Sequence, residues 1–173
     1  MTARASAVRL RAPRAGDRDR VAAIVEATGV FRPEEAAIAL EVFDGAVERP
    51  GADYHAIGAC DDDDTLVGFT SFGPTPCTVA TWDLYWIAVH PGAHRHGVGR
   101  WLMQAAEQAI ANAGGQLVVV ETSSRPDYAP TRAFYAALGY TRAARIPDFY
   151  APGDDLVVYT KRLVPSRSEE ADG

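Results

Sequence analysis

The chain has 173 residues, of which 47% are hydrophobic and 23% charged. This composition is typical of a globular protein, and the length suits one domain with a sizeable core. The formal net charge of −6 argues against a general nucleic-acid binder, which would carry a basic face. No apolar run reaches the roughly 20 residues that a membrane-spanning helix needs, so no membrane partner is expected. Two cysteines make no disulfide framework and favour a cytoplasmic location.

The first 60 residues predict two strands with two helices between them. Residues 8–11 alternate apolar and charged side chains, as an edge or first strand does. Asp17 can cap a first helix, and Gly29 would end it. Pro33 suits the first turn of a second helix, which stops before the Pro-Gly pair at 50–51. Residues 54–60 then form a strand.

The middle of the chain predicts a hairpin and a long strand. Four consecutive aspartates at 61–64 are interpreted as a solvated turn between strands 54–60 and 66–72. A calcium site is not expected there, because the run lacks the spaced ligands and the glycine of a calcium loop. A turn at 73–76 leads into the strand 78–89.

The last third predicts a long helix, three strands and a short helix. The long helix follows Gly97 and ends at Gly114-Gly115, and strand 116–122 comes next. Its apolar stripe consists of Val98, Trp101, Leu102, Ala105, Ala106, Ala109 and Ile110.

The short helix begins near Pro130, buries Phe134, Ala137 and Leu138, and is capped by Gly139. Strands 140–146 and 156–163 complete the pattern. The order β-α-α-β-β-β-α-β-α-β-β indicates a mixed α/β sheet in one domain, residues 1–165. Residues 166–173 form a small, polar tail that we expect to be disordered.

A strand, a loop with two glycines and a helix N-terminus together suit an anion. The first turn of a helix presents unpaired N–H groups and partial positive charge, and Gly97 and Gly99 allow close approach. A nucleotide P-loop needs Gly-Lys-Ser/Thr, but Arg100 follows Gly99. A dinucleotide fingerprint needs a third glycine where Leu102 stands. The remaining G-x-G turn could equally be a tight connection without a ligand.

Two motifs, in this order, carry a family resemblance. HRHGVG at 94–99 matches the frame Q/R-x-x-G-x-G/A except for its first residue, and FYAALGY at 134–140 matches F-Y-x-x-x-G-F with Tyr140 as the last aromatic. Over roughly residues 8–163 the chain resembles the GNAT superfamily of acyl-CoA-dependent N-acyltransferases. The resemblance implies an α+β fold with a mixed, mostly antiparallel sheet, flanked by helices and splayed at the coenzyme site. It also implies acetyl-CoA as co-substrate.

The resemblance further implies how the coenzyme is held. Its pantetheine arm would pair with the backbone of Ile87, Ala88 and Val89. Its pyrophosphate would accept bonds from the backbone at the helix start, with a further bond available from the side chain of His94. The backbone donors are Arg95, His96, Gly97, Val98, Gly99 and Arg100. Tyr128 stands where many members have Asn, which leaves one coenzyme contact open.

Acyl transfer to an amine also needs a proton donor for the leaving thiolate. Tyr135 is the candidate, because a phenol pKa of about 10 lies near that of a thiol. Its helix position, about 100° from the buried stripe, allows it to sit at the edge of a cleft. The alternative is a tyrosine of the core. The backbone N–H of Val89 could polarise the thioester carbonyl.

Asp83 and Glu121 are the candidates for general base. Asp83 lies four residues before Ile87, the position at which some members of the family carry a catalytic Glu. Alternation puts Asp83, Tyr85 and Ile87 on one face of the strand, with Trp82, Leu84 and Trp86 on the other. Asp83 could instead position the ammonium group of the substrate, and Glu121 on the neighbouring strand is the second candidate base.

A metal and a reactive cysteine are both weighed and set aside. His90, His94 and His96 have some ligand spacing, but they lie in a glycine loop without a nearby carboxylate, so no metal is predicted. Cys77 has no visible partner that would make it a nucleophile, so a structural thiol is expected.

The predicted acceptor pocket is aromatic and carries charge. Its walls are Phe31, Arg32, Tyr85, Phe149 and Tyr150. Aromatic rings near the carboxylates of Asp83, Asp127 and Asp148 suit a cationic small molecule, whereas Arg32 or Arg125 could hold a carboxylate.

The expected activity is acetyl transfer from acetyl-CoA to a primary amine of a small molecule. The alternatives are acetylation of a protein N-terminus or lysine, and a CoA-binding regulatory module without catalysis. Oligomeric state, including a homodimer, is left open.

Overall fold

The computed structural model describes residues 8–163, and of residues 95 and 96 it describes the backbone alone. The predicted order of elements is confirmed, with three short 3-10 turns added. The elements are β1 (Arg9–Arg11), α1 (Arg18–Thr28), α2 (Pro33–Glu48), β2 (His55–Cys60), β3 (Leu66–Pro74), β4 (Thr81–Val89), α3 (Val98–Asn112), β5 (Leu117–Ser123), α4 (Ala129–Ala137), β6 (Thr141–Ala151) and β7 (Asp154–Arg162). The predicted tail at 166–173 lies outside the described residues, and the domain bounds 1–165 stay a prediction.

Seven strands form one open sheet in the order β1-β2-β3-β4-β5-β7-β6. The pairs β1–β2, β2–β3, β5–β7 and β6–β7 are antiparallel. The predicted class, a mixed sheet with flanking helices, is confirmed, while the splaying of strands at the coenzyme site stays a prediction. No helix among the described residues is long and apolar enough to cross a membrane.

Contacts divide the described chain into two compact units. The first unit comprises residues 8–73 and Leu84–Ala106, and the second comprises Pro74–Asp83 and residues 107–163. Strand β4 and helix α3 each contribute residues to both units.

The core of the first unit lies under α1 and α2. Helix α1 buries Val21, Ile24 and Val25 at helical spacing, and it ends at Gly29, whose φ of +70° suits glycine. Helix α2 has Pro33 in its first turn, as predicted, and its Phe43 ring meets Phe69 of β3 edge-on at 6.3 Å. The burial of these apolar faces, rather than helix propensity, stabilises both helices.

Helix α3 buries Val98, Leu102, Ala106 and Ile110 as predicted, and the predicted stripe fails at one residue, Trp101. Its buried residues also include Met103, whereas Trp101 is 46% exposed. The prediction for Trp101 was wrong because the buried arc is centred between the positions of Leu102 and Met103. Position 101 therefore falls outside the arc, and the arc includes Met103, which the predicted stripe left out.

In helix α4 too, the buried side differs from the predicted one. Ala137 is exposed, and Tyr135 is the buried residue of this helix, 4% exposed. The Tyr135 ring packs against the rings of Tyr140 and Tyr159, with centroids 5.8 and 6.2 Å away. Pro130 lies in the first turn as predicted, and Gly139, with φ +86°, follows the end of the helix.

Strand β6 extends five residues beyond the prediction and includes Phe149 and Tyr150. Its register with β7 shifts between Ile146 and Ala151, and Asp148 has a φ of +53°. This irregularity accommodates Pro147. It also interrupts the alternation of buried and exposed side chains from which a strand is predicted, so the predicted strand stopped short.

The aspartate turn is not merely solvated. The Asp64 carboxylate accepts hydrogen bonds from Arg9, Arg11 and Arg14 at 2.6, 2.9 and 2.9 Å. Arg11 also donates two bonds to Asp17. Strand β1 and the segment after it are thereby tied to the β2–β3 hairpin, an arrangement that the aspartate run did not reveal.

Candidate active site

The glycine loop is a 3-10 turn, Pro91–His96, followed by Gly97 and the start of α3. Gly97 has a φ of +69°, and its carbonyl accepts the N–H of Trp101 at 3.1 Å. A Cβ at Gly97 would meet nothing within 4 Å, so the glycine is required by the backbone conformation and the space around it is open. The first N–H groups of α3 have no partner within the helix, and with the helix dipole they suit an anion.

His94 lies in this turn and contacts its own strand. Its Nε2 lies 2.7 Å from the carbonyl oxygen of Val89, a distance at which Nε2–H donates. The predicted hydrogen bond from His94 to a pyrophosphate therefore stays a prediction. The predicted roles of Arg95 and His96 concern their backbone groups, which belong to the 3-10 turn.

Successive side chains at the end of β4 pack into two different hydrophobic clusters of the first unit. Ala88 belongs to the cluster under α1 and α2, and Ile87 and Val89 pack with the cluster of α3. Trp86 also packs in the α1–α2 cluster, whereas Trp82 lies beside Ile110 and Gly115. The two indoles have different surroundings, which strict alternation along β4 did not predict.

The two candidate bases belong to the second unit, and the charge of Asp83 acts on Glu121. Asp83 accepts a hydrogen bond of 2.7 Å from the Thr75 hydroxyl. The pKa of Glu121 is raised above its ordinary value, first by partial burial and then by the negative charge of Asp83. A carboxyl group with a raised pKa is a better proton acceptor, so Glu121 has the chemistry of a general base.

Tyr135 is buried rather than placed at the edge of a cleft. Burial, followed by the influence of Tyr128, raises its pKa above that of a free phenol. It therefore keeps its proton at neutral pH, as a proton donor must. Tyr128 is buried too, with the Arg125 guanidinium 5.0 Å from its ring centre.

The predicted pocket residues occur as aromatic pairs. In the first unit Phe31 meets Trp86 edge-on at 5.0 Å, and Tyr85 meets Tyr54 at 5.4 Å. The Arg32 backbone N–H donates to Glu35 at the start of α2. In the second unit Phe149 meets Tyr150 at 5.0 Å, and Phe149 is 53% exposed.

Three neighbours of these residues were missed from the sequence: Tyr54, Thr75 and Trp86. The sequence pattern identifies Tyr54 and Trp86 only as residues of predicted strands, and it does not reveal their contacts with other rings. Thr75 could have been noticed as a hydroxyl in a hairpin turn, eight residues before an aspartate.

Within the described part of the chain, no three histidines, cysteines or acidic residues are grouped as metal ligands. The Nδ1 atom of His90 instead accepts the backbone N–H of Gly92 at 3.1 Å. Cys60 is buried, and Cys77 is exposed at the turn before β4.

Comparison with known families decides the assignment. Residues 21–140 match the model of the Acetyltransferase (GNAT) family, a span that includes both sequence motifs. The chain belongs to the GNAT family of acetyltransferases. A search of curated proteins gives no significant match.

Solved structures agree with the family assignment. A protein from Desulfovibrio desulfuricans that is assigned to the GNAT acetyltransferases is 40% identical, with a TM-score of 0.84. The alignment covers 91% of this chain and 99% of that one. The chain is thus a GNAT acetyltransferase in sequence and in fold.

Two more distant structures share the fold alone. An aminoglycoside 6'-N-acetyltransferase in complex with coenzyme A is 18% identical, with a TM-score of 0.72 and coverage of 91% of this chain and 98% of that one. The ribosomal-protein-S18-alanine N-acetyltransferase of Escherichia coli is 18% identical, with a TM-score of 0.71 and coverage of 96% and 99%.

Proposed function

We propose that this GNAT acetyltransferase moves an acetyl group from acetyl-CoA to a primary amine of a small molecule. The observation that carries the proposal is the interacting pair of carboxyl groups, Asp83 and Glu121. Such a pair attracts an ammonium group and can accept its proton, which an amine must lose before it attacks.

The residues at the start of α3 fit the diphosphate of the coenzyme. The N–H groups of Val98, Gly99 and Arg100 lie in the first helical turn, where they have no intrahelical partner. The open space at Gly97 leaves room for the phosphate oxygens. The backbone of Ile87, Ala88 and Val89 would hold the pantetheine arm, and the N–H of Val89 would polarise the thioester carbonyl.

In the proposed reaction these residues supply a donor and an acceptor for each proton that moves. Glu121 or Asp83 accepts one proton from the ammonium group, and the freed amine nitrogen attacks the carbonyl carbon. The attack forms the C–N bond. The C–S bond then breaks, and the sulfur leaves as a thiolate. Tyr135 gives its phenolic proton to the sulfur and regains one from the nitrogen, which leaves an amide and a thiol.

The acceptor is expected to be small, cationic and partly apolar. The aromatic pairs Phe31–Trp86 and Tyr54–Tyr85 in the first unit offer ring faces and edges to such a molecule. Phe149, Tyr150 and Arg32 are proposed as further contacts, and Arg32 or Arg125 would select a substrate that also carries a carboxylate. We also propose a cytoplasmic enzyme without nucleic-acid or membrane partners, as a monomer or a homodimer.

Acetylation of a protein is the second candidate function. The fold does not choose between the two, because one structure of this fold is an aminoglycoside acetyltransferase and another acetylates alanine of a ribosomal protein. A CoA-binding regulatory module is the third candidate, and it would bind the coenzyme without turnover.

A panel of amines separates these functions. We expect free thiol to be released from acetyl-CoA with at least one cationic small amine, and Glu121→Gln to slow that release about 100-fold or more. Intact mass measurement of candidate proteins tests the second function. Coenzyme binding without any thiol release, with amines or proteins, would favour the regulatory module and overturn the proposal.

A further inference from the structure

Thr75 is held firmly in the turn before β4. Its backbone N–H donates to the Thr81 carbonyl at 2.9 Å, and its own carbonyl accepts the Thr78 hydroxyl at 2.8 Å. With the backbone fixed at both groups, the Thr75 side chain donates to the Asp83 carboxylate at 2.7 Å. The hydroxyl is therefore placed by the turn and orients the carboxylate.

The strands β4 and β5 bring Asp83 and Glu121 to nearly the same level. The Ala80 carbonyl accepts the N–H groups of Gln116 and Leu117 at 2.8 and 3.2 Å, just where both strands begin. The strands are neighbours in the sheet, so from this point they run in the same direction. Asp83 follows Ala80 by three residues and Glu121 follows Leu117 by four.

Asp83 is the charged group that acts on Glu121. On the other side of β5, Glu121 pairs with Val158 of β7, and the diagonal neighbours on the same face are Leu156 and Thr160. None of these three side chains is charged. The raised pKa of Glu121 has partial burial as its first cause and Asp83 as the second.

From this geometry we propose that Thr75 is a positioning residue, which holds the Asp83 carboxylate beside Glu121 so that Glu121 accepts the proton of the substrate ammonium. The inference rests on the proposed function for the identity of the proton donor. In the proton transfer the N–H bond of the ammonium breaks and an O–H bond forms on Glu121. Thr75 takes no part in the proton transfer itself and acts through its hydrogen bond to Asp83.

The test is a carboxyl titration of the whole chain without ligands. Glutamate side chains are labelled with ¹³C, and the Glu121 signal is assigned by its loss in Glu121→Gln. We expect Asp83→Asn to lower the titration midpoint of Glu121, because a like charge is removed. Thr75→Val should lower it as well, because the Asp83 charge is no longer held in place, whereas Thr75→Ser should keep the wild-type midpoint.

A double variant decides whether Thr75 acts through Asp83. If it does, Thr75→Val combined with Asp83→Asn should titrate like Asp83→Asn alone. An unchanged Glu121 midpoint in Thr75→Val, or equal shifts in the Val and Ser variants, would overturn the proposal. Heteronuclear spectra of each variant show whether it is folded, and Thr75→Ser supplies the conservative comparison if Val disturbs the turn.

Turnover separates this inference from the proposed function. We expect the acidic limb of the kcat/KM profile to move to lower pH in Thr75→Val, with KM for acetyl-CoA unchanged. If wild-type protein released no thiol with any amine, the proposed function would fail, yet the Glu121 titration would still decide the role of Thr75. If turnover occurred and Glu121→Gln left it unaffected, Glu121 would not be the base.

Discussion

At the scale of single residues, chemistry and burial have to be considered together. Tyr135 has the side chain that a proton donor needs, and it is also packed among aromatic rings with 4% of its surface exposed. Burial keeps its proton in place by raising the pKa, so a buried position does not by itself exclude the role. Tyr140, close to it, has an evident structural task instead, because its hydroxyl donates to Glu107 at 3.0 Å.

These two tyrosines make a matched pair of variants. Tyr135→Phe retains the ring and removes the proton donor, so we expect kcat to fall about 100-fold with little change in unfolding midpoint. Tyr140→Phe removes a bond to a charged acceptor and should cost about 1–2 kcal/mol of unfolding free energy while kcat stays unchanged. Steady-state kinetics and urea titration measure both. Wild-type kcat in Tyr135→Phe would identify Tyr135 as a core tyrosine.

At the scale of elements, the short strand β1 depends on ion pairs more than on apolar burial. Arg9 and Leu10 are exposed, and besides the backbone pairing with β2 the side chains of Arg9 and Arg11 link the strand to the rest of the first unit. The Arg11 side chain is 10% exposed and donates to Asp17 and Asp64. These hydrogen bonds are the largest cause of the lowered pKa of both carboxyl groups.

This arrangement predicts an acid-sensitive contribution to stability. Both carboxyl groups have folded-state pKa values below those of the unfolded chain, so their contribution is complete above about pH 4 and is lost as the pH falls further. Arg11→Met should lower the urea midpoint at neutral pH, and its difference from wild type should shrink below about pH 4. Arg9→Met, which removes a more exposed partner of Asp64, should have a smaller effect. A difference that persists at low pH would assign the effect to lost packing of Arg11.

At the scale of the whole molecule, the fold provides a framework shared by enzymes with different acceptors. The helix start after Gly97 and the end of β4 are features of the first unit, and the carboxyl pair and Tyr135 are features of the second. A ligand that contacts the folded chain alone must raise its stability by mass action, whatever the acceptor is. Coenzyme binding can therefore be examined before any amine is known.

Acetyl-CoA should protect the whole chain against heat. At about 100 times its Kd the ligand adds about 2.7 kcal/mol, which for a chain of this size raises Tm by about 5–10 °C. The acetyl thioester of N-acetylcysteamine, which has the reactive end without the pyrophosphate, should give no shift at the same concentration. Differential scanning calorimetry measures both. Equal shifts from the two ligands would show that the helix start after Gly97 does not hold the pyrophosphate.

The sequence by itself determined the order of elements, the end of α1 at Gly29 and the family. Glycine and proline positions, hydrophobic periodicity and short motifs are local properties of the chain. The sequence did not determine that Trp101 is exposed and Tyr135 buried, because both depend on which part of a helix surface meets its neighbours. It also did not show that Thr75 bonds Asp83 or that Asp64 binds three arginines. Those contacts join residues that are eight to fifty-five positions apart, and only tertiary folding brings such residues within hydrogen-bond distance.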